Sequence, residues 1–313
     1  MQKSKDFKYI GQRPLRPDGI EKVTGKALYG ADINLQGMLY GKILRSPYAH
    51  AKILSIDTEA AKNLPGVYAI STSEDLIKKH TEMFKDLEGT LTSLKYLSNN
   101  VLAEGKVLYA GHAVAAVAAI SPHVALDALS LIKVEYDVLE PVVDVESSMG
   151  ERAPILLKTP ITSSPRSKKF DSTNIVGNCE FLRGDIDTGF DKADVVVETK
   201  YRTKTVHQGY IEPQSATALW SEDDSKLKIW CSNQGHFSVR NEVSALLDIP
   251  VSTIKVIPME IGGGFGGKGQ GGVLLEPVAA VLSQKTGKPV KISMTRTEVF
   301  VGSGPTSSAD MRV

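Results

Sequence analysis

Seven consecutive residues, Gly262-Gly263-Gly264-Phe265-Gly266-Gly267-Lys268, constrain this chain more than any other stretch. Glycine admits positive φ and lets other groups come close to the main chain. Successive exposed N–H groups ahead of a helix make a natural anion cradle. A tight structural turn is the plainer explanation, but turns rarely need so many glycines together. The strand pattern Thr253 to Pro258 leads into the run, and the helical pattern Leu274 to Gln284 follows it.

Two generic motifs come near. Gly262-x-Gly264-x-x-Gly267 satisfies a dinucleotide fingerprint, yet only 46 residues follow Gly267, too few for the strand–helix units of a Rossmann domain. Gly262 to Lys268 also approaches a phosphate-binding loop. The next residue is Gly269, however, so the hydroxyl that would ligate Mg²⁺ is missing. A nucleotide-binding enzyme is the weakest of the readings.

The remainder of the composition narrows the class. Lys and Arg number 37 against 36 Asp and Glu, a net charge of +1, without the basic bias of a nucleic-acid binder. The start, Met1-Gln2-Lys3-Ser4-Lys5-Asp6, is polar and no run reaches the ~18 apolar residues of a membrane span. A cytoplasmic protein is expected. The two cysteines, Cys179 and Cys231, exclude a disulfide framework and cannot supply the four thiolates of an iron–sulfur cluster.

The element pattern is α+β. Strands are expected at Ala27–Gly30, Met38–Arg45, Ala51–Ile56, Val67–Ile70, Val107–Ile120 and Val134–Val138, with helices from Thr58, from Ser73 to Lys79, and from Ser121-Pro122 to Ile132. Pro154, Pro160, Pro165 and a Ser/Thr cluster mark residues 147–177 as a linker, after an irregular arm, 1–18, and a first domain, 19–146. The second domain, 178–313, carries strands at Val195–Tyr201, Ala216–Trp220, Leu227–Cys231 and Val290–Met294. Its helix from Ser238 to Leu247 is expected to take Ser238 as its cap.

Met259-Glu260-Ile261 and the glycine run resemble the molybdopterin loop of the xanthine dehydrogenase and aldehyde oxidase family. Three further stretches resemble that family in the same order. They are Lys22-Val23-Thr24-Gly25-Lys26-Ala27-Leu28-Tyr29-Gly30-Ala31-Asp32 with Arg45-Ser46-Pro47-Tyr48-Ala49-His50-Ala51, then His207-Gln208-Gly209-Tyr210-Ile211-Glu212-Pro213, and Ser232-Asn233-Gln234. The resemblance covers nearly the whole chain. It implies a hammerhead-type α/β domain followed by the first, incomplete part of a molybdopterin-binding domain.

The same resemblance implies a molybdenum hydroxylase that oxidises a heterocycle or an aldehyde with oxygen from water. Its cofactor is molybdopterin, alone or as the cytosine dinucleotide. Electrons pass to [2Fe–2S] and FAD groups, which partner subunits must carry. Gln234 is then the amide that meets an oxygen on molybdenum, and Phe265, flanked by Gly263, Gly264, Gly266 and Gly267, approaches the metal by its backbone. Neither is a direct side-chain ligand. His207 and Glu212 are expected to order the site, and His112 and Cys231 to be core residues; His236, two residues after Gln234, is given no site role.

Two departures stand out. Many relatives place an acidic residue after the loop lysine, where this chain has Gly269-Gln270, which shifts the expected substrate set. The family's large subunit also runs on for several hundred residues and brings its general base there, so no catalytic residue is assignable here. A partner chain carrying the remaining half of the domain is expected, beside iron–sulfur and FAD subunits and a small-molecule substrate. A non-catalytic assembly relative of the same fold is the alternative.

Overall fold

Residues Ala113 to Ala119 form a strand in which every side chain is buried. Small and β-branched residues suit a strand enclosed on both faces of a sheet at close packing, and this run contains nothing else. Ala116 and Ala118 join one hydrophobic cluster, and Ala115, Val117 and Ala119 join another. The strand therefore separates two cores.

The computed structural model describes residues 7–76, 82–87, 89, 91–157, 162–163, 174–175, 180–269 and 274–313. The main strands are β1 (Leu39–Arg45), β2 (Ala51–Asp57), β3 (Val67–Thr72), β4 (Ala113–Ala119), β5 (Lys133–Val138), β6 (Lys200–Thr203), β7 (Ser215–Trp220), β8 (Leu227–Cys231), β9 (Ile254–Pro258), β10 (Val290–Ser293) and β11 (Ala309–Arg312). The main helices are α1 (Leu94–Val101), α2 (Pro122–Leu131), α3 (His236–Leu247), α4 (Glu276–Thr286) and α5 (Arg296–Gly302).

Seven strands form one mixed sheet in the order β9-β8-β7-β10-β1-β4-β3. It draws from both sides of residues 147–177, because β10 pairs parallel with β1 while β4 lies antiparallel on β1's other edge. Helix α2 covers one face through Ala125 and Ala128, and α3 and α4 cover the other through Val239, Val243 and Val278 to Leu282. A smaller sheet of Lys106–Val107, β2 and β5 encloses Ala51, Val107 and Val114. The α+β class follows. Among the described residues, no helix is long and apolar enough to cross a membrane.

Several local expectations change. Ala27–Gly30 is not a strand: Tyr29 makes one isolated bridge to Glu260, and Gly30–Asp32 is a 3-10 turn. The run Val107–Ile120 is broken at 108–112, where His112 Nδ1 accepts the Leu108 N–H and turns the chain. Val195, Val196 and Val197 are exposed and irregular, and strand pairing begins only at Lys200. Helix α3 is capped at Gly235, not Ser238, because Asn233 Oδ1 takes the Gly235 N–H at 2.5 Å and starts the helix two positions earlier. The expected helix from Ser73 appears as one 3-10 turn, Ser73–Asp75; its part beyond residue 76, Cys179 and Gln270 lie outside the described residues.

Candidate functional site

Parallel strands leave a sheet from the same edge, and antiparallel ones enter there. Strands β8 and β9 are parallel, with Cys231 beside Pro258, so Ser232–Gln234 and Met259–Lys268 emerge side by side. β7 runs antiparallel to β8 and begins at that end, which brings in residues 207–214. β10 ends there too, opposite Ser215, and delivers α5. The stretches that resemble the family therefore meet because of strand direction.

The opening stretch reaches the same place. The Lys22 ammonium pairs with Glu260, and the Glu260 N–H donates to Leu28 O at 3.0 Å. Gly30 lies against Ser215 and Ser232, where a Cβ would meet atoms at 3.3 Å.

Within the glycine run, most amides are used by the protein. Gly262 N–H donates to Glu212 Oε2 at 2.7 Å; Gly266 N–H and Lys268 N–H donate to Gln234 Oε1 at 3.1 and 3.3 Å. Gly267 N–H closes onto Gly264 O at 2.8 Å. The three successive N–H groups of Gly263, Gly264 and Phe265 have no acceptor among the described residues. Gly263 has φ +100° and Phe265 φ +51°, the kind of unusual backbone that turns neighbouring amides toward one point. Gly264 is fixed by space: a Cβ there would strike the Gln234 carboxamide. The Phe265 ring is 76% exposed, so its left-handed φ is not sustained by its own burial.

Gln234 is oriented by the same contacts. Its N–H donates to Lys268 O at 2.9 Å and its Oε1 is taken by two loop amides. The side-chain NH₂ is thus the face left to a ligand, and no acceptor among the described residues takes it. A free amide donor beside three free backbone donors suits an oxygen-bearing, electron-rich group.

Behind the loop, Lys268 and Glu212 form an ion pair of 2.6 Å with side chains 0% and 10% exposed. Burial pushes the Lys268 ammonium below the usual lysine range, and Glu212 opposes that shift. The ammonium also lies 5.1 Å from the Tyr210 ring centre. Tyr210 is held by Arg296, whose guanidinium donates to the carbonyls of Tyr210 and Ile211. His207 does not face the loop. Its Nδ1 accepts the Gly209 N–H and its Nε2 lies 2.9 Å from Ser303 Oγ, which also meets the Tyr210 hydroxyl at 3.1 Å. His207 thus braces the segment that supplies Glu212.

A cavity of about 530 Å³ adjoins the loop. Its walls include Gly267, Lys268, Gln214, Glu276, Tyr109 and Phe300, but not Gln234 or residues 263–266. The sequence reading missed these other walls. A signal existed for one of them: Thr295-Arg296-Thr297-Glu298 is a capping-box pattern that announces α5, which carries Phe300. Glu276 is buried next to Cys231, and burial pushes both the carboxyl and the thiol up. Cys231 is a core residue. His236 is the first residue of α3, with Nε2 buried and without a partner among the described residues. It lines no part of the cavity.

Comparison with known proteins places this geometry. Residues 24–140 match the aldehyde oxidase and xanthine dehydrogenase a/b hammerhead domain, and residues 168–313 match the molybdopterin cofactor-binding domain. The chain is 35% identical over 288 residues to the xanthine dehydrogenase molybdenum-binding subunit of Escherichia coli, covering 92% of this chain and 36% of that one. It is 31% identical over 294 residues to the nicotinate dehydrogenase large molybdopterin subunit of Eubacterium barkeri, covering 94% of this chain and 63% of that protein. The crystal structure of quinoline 2-oxidoreductase from Pseudomonas putida 86 superposes with a TM-score of 0.78 at 29% identity, over 96% of this chain and 37% of that one. The chain thus spans about a third of the first of these relatives and somewhat under two thirds of the second. With both domain models matched in order, and relatives aligned across nine-tenths of it, the chain belongs to the xanthine dehydrogenase and aldehyde oxidase family and corresponds to the N-terminal part of its molybdopterin-binding subunit.

Proposed function

We propose that this chain forms one wall of the molybdopterin site in a multi-subunit hydroxylase that oxidises a heterocycle or an aldehyde. The observation that carries this reading is the set of free donors, Gly263, Gly264 and Phe265 N–H and the Gln234 NH₂, gathered at one end of the sheet. When bound there, molybdopterin would supply the two-electron chemistry, with oxygen from water. Gln234 would donate a hydrogen bond to an oxygen of the cofactor, and the loop backbone would hold that oxygen in place.

The general base and the other cofactor contacts would come from the remaining half of the domain, on a partner chain or a continuation of this one. Iron–sulfur and FAD subunits would remove the electrons, and the complex would work in the cytoplasm. We take residues 19–146 and 178–313 as the two sequence units, with 1–18 an arm and 147–177 the link. Gly269, without a side chain, would leave the loop-end of the substrate space without an acidic anchor.

The test is metal and pterin analysis of the complex purified through this chain. Near-stoichiometric molybdenum is expected, and a correctly assembled complex without molybdenum would sink the reading. Gln234→Ala should keep assembly and lower kcat by roughly 10–100-fold, as loss of one oriented donor does. Unchanged kcat would favour a pure assembly role.

A further inference from the structure

Glu212 sits where both ends of the glycine run converge. One carboxylate oxygen, Oε2, accepts the Gly262 N–H at 2.7 Å and the Lys268 ammonium at 2.6 Å. The Glu212 N–H in turn donates to Gly262 O at 3.1 Å. Gly262 opens the run and Lys268 closes it, so a single side chain sets the distance between its two ends. From Lys268 the connection passes to Gln234: the Lys268 N–H reaches Gln234 Oε1 at 3.3 Å, and Lys268 O takes the Gln234 N–H at 2.9 Å.

This arrangement has an orienting consequence. An amide side chain can turn over and exchange its oxygen for its NH₂ at little cost unless its partners forbid it. Two backbone donors, Gly266 N–H and Lys268 N–H, point at Gln234 Oε1, and only a carbonyl oxygen satisfies them. The Lys268 donor keeps its place because the Lys268 side chain is tied to Glu212. The ion pair is enclosed, at 0% and 10% exposure, so solvent does not dilute its pull.

We propose that Glu212 and Lys268 are positioning residues, a latch that closes the glycine run and thereby fixes which face the Gln234 amide offers to the cofactor. This rests on the molybdopterin reading above, and extends it to two residues whose side chains are tied to each other behind the loop. A buried ion pair of this kind can be replaced by two neutral groups with little loss of stability, whereas removing one partner strands a charge. That difference separates a latch from a simple structural prop.

The experiment compares Glu212→Gln, Lys268→Met and the double variant E212Q/K268M, each purified as the whole complex. Gln at 212 keeps an oxygen for the Gly262 N–H. Molybdenum and pterin are measured per folded chain, and hydrogen exchange is followed in the peptide spanning 260–268. The double variant should melt near the wild-type temperature, exchange its backbone amides at positions 266 and 268 faster, and retain roughly 10–100-fold less cofactor at limiting molybdopterin. Wild-type exchange and wild-type cofactor content in the double variant would overturn the latch. Should the wild-type complex hold no molybdenum, the cofactor reading fails, and the exchange rates still decide whether the pair holds the loop.

Discussion

Two buried titratable residues make opposite demands on pH. Burial raises the pKa of the Glu276 carboxyl above its ordinary value of 4.5. Its contribution to stability is present below pH 4.5 and is lost as pH rises through the folded value. Glu276→Gln should therefore melt higher than wild type at pH 8, with the advantage shrinking toward pH 4.5; an advantage independent of pH would refute the assignment. His112 is the converse case. Its Nδ1 accepts the Leu108 N–H and its Nε2 lies 2.7 Å from Asn99 O, so the ring is neutral, and burial pushes its pKa down to about 4 from 6.5. The unfolded chain binds the proton first, and stability falls by roughly 3 kcal/mol between pH 6.5 and 4 on this account. A His112→Asn chain should lose the steep part of that decline, measured by denaturant titration at a series of pH values.

At the scale of elements, α5 is held by a side chain with two tasks. The Thr295 N–H donates to Glu298 Oε2 at 2.8 Å, while Glu298 Oε1 takes Arg45 Nε at 3.1 Å. Thr295→Ala removes a cap and should cost about 1 kcal/mol. Glu298→Ala also strands the enclosed Arg45 and should cost roughly 3–5 kcal/mol by thermal melts; equal losses would mean that the Arg45 contact adds nothing. The elements most legible in the sequence were those with a one-residue rationale, such as the buried Ala113–Ala119 run, or the Gly287-then-Pro289 stop of α4. Others were set by what packs elsewhere. Val195–Val197 looks like a strand by composition, yet no neighbouring strand pairs with it among the described residues. Ser238 looks like a cap, but Asn233 captures the chain before it. For the site, the glycine run and Gln234 were readable as a pair. The Lys268–Glu212 tie was not, because 56 positions separate its partners and only the order of β7, β8 and β9 brings them together.

The whole molecule is closed through its middle: β1 has an early strand on one edge and a late one on the other. A fragment of residues 24–140, although it matches the hammerhead domain model, would expose the β1 edge that β10 covers. It should therefore aggregate or melt without cooperativity, and a sharp two-state transition for that fragment would contradict this. Exposed apolar side chains at Tyr201, Met311 and Val313 lie on or beside the β6–β11 ribbon. Masking that face on assembly would protect it from proteolysis. The β1–β10 pairing also has a consequence in time. Leu39 and Val290 pair across 251 positions, and at roughly 5–20 residues per second a ribosome needs on the order of 10–50 s to make the later partner. During that interval β1 waits with an open edge, so the slow step of folding comes only after β10 has been made.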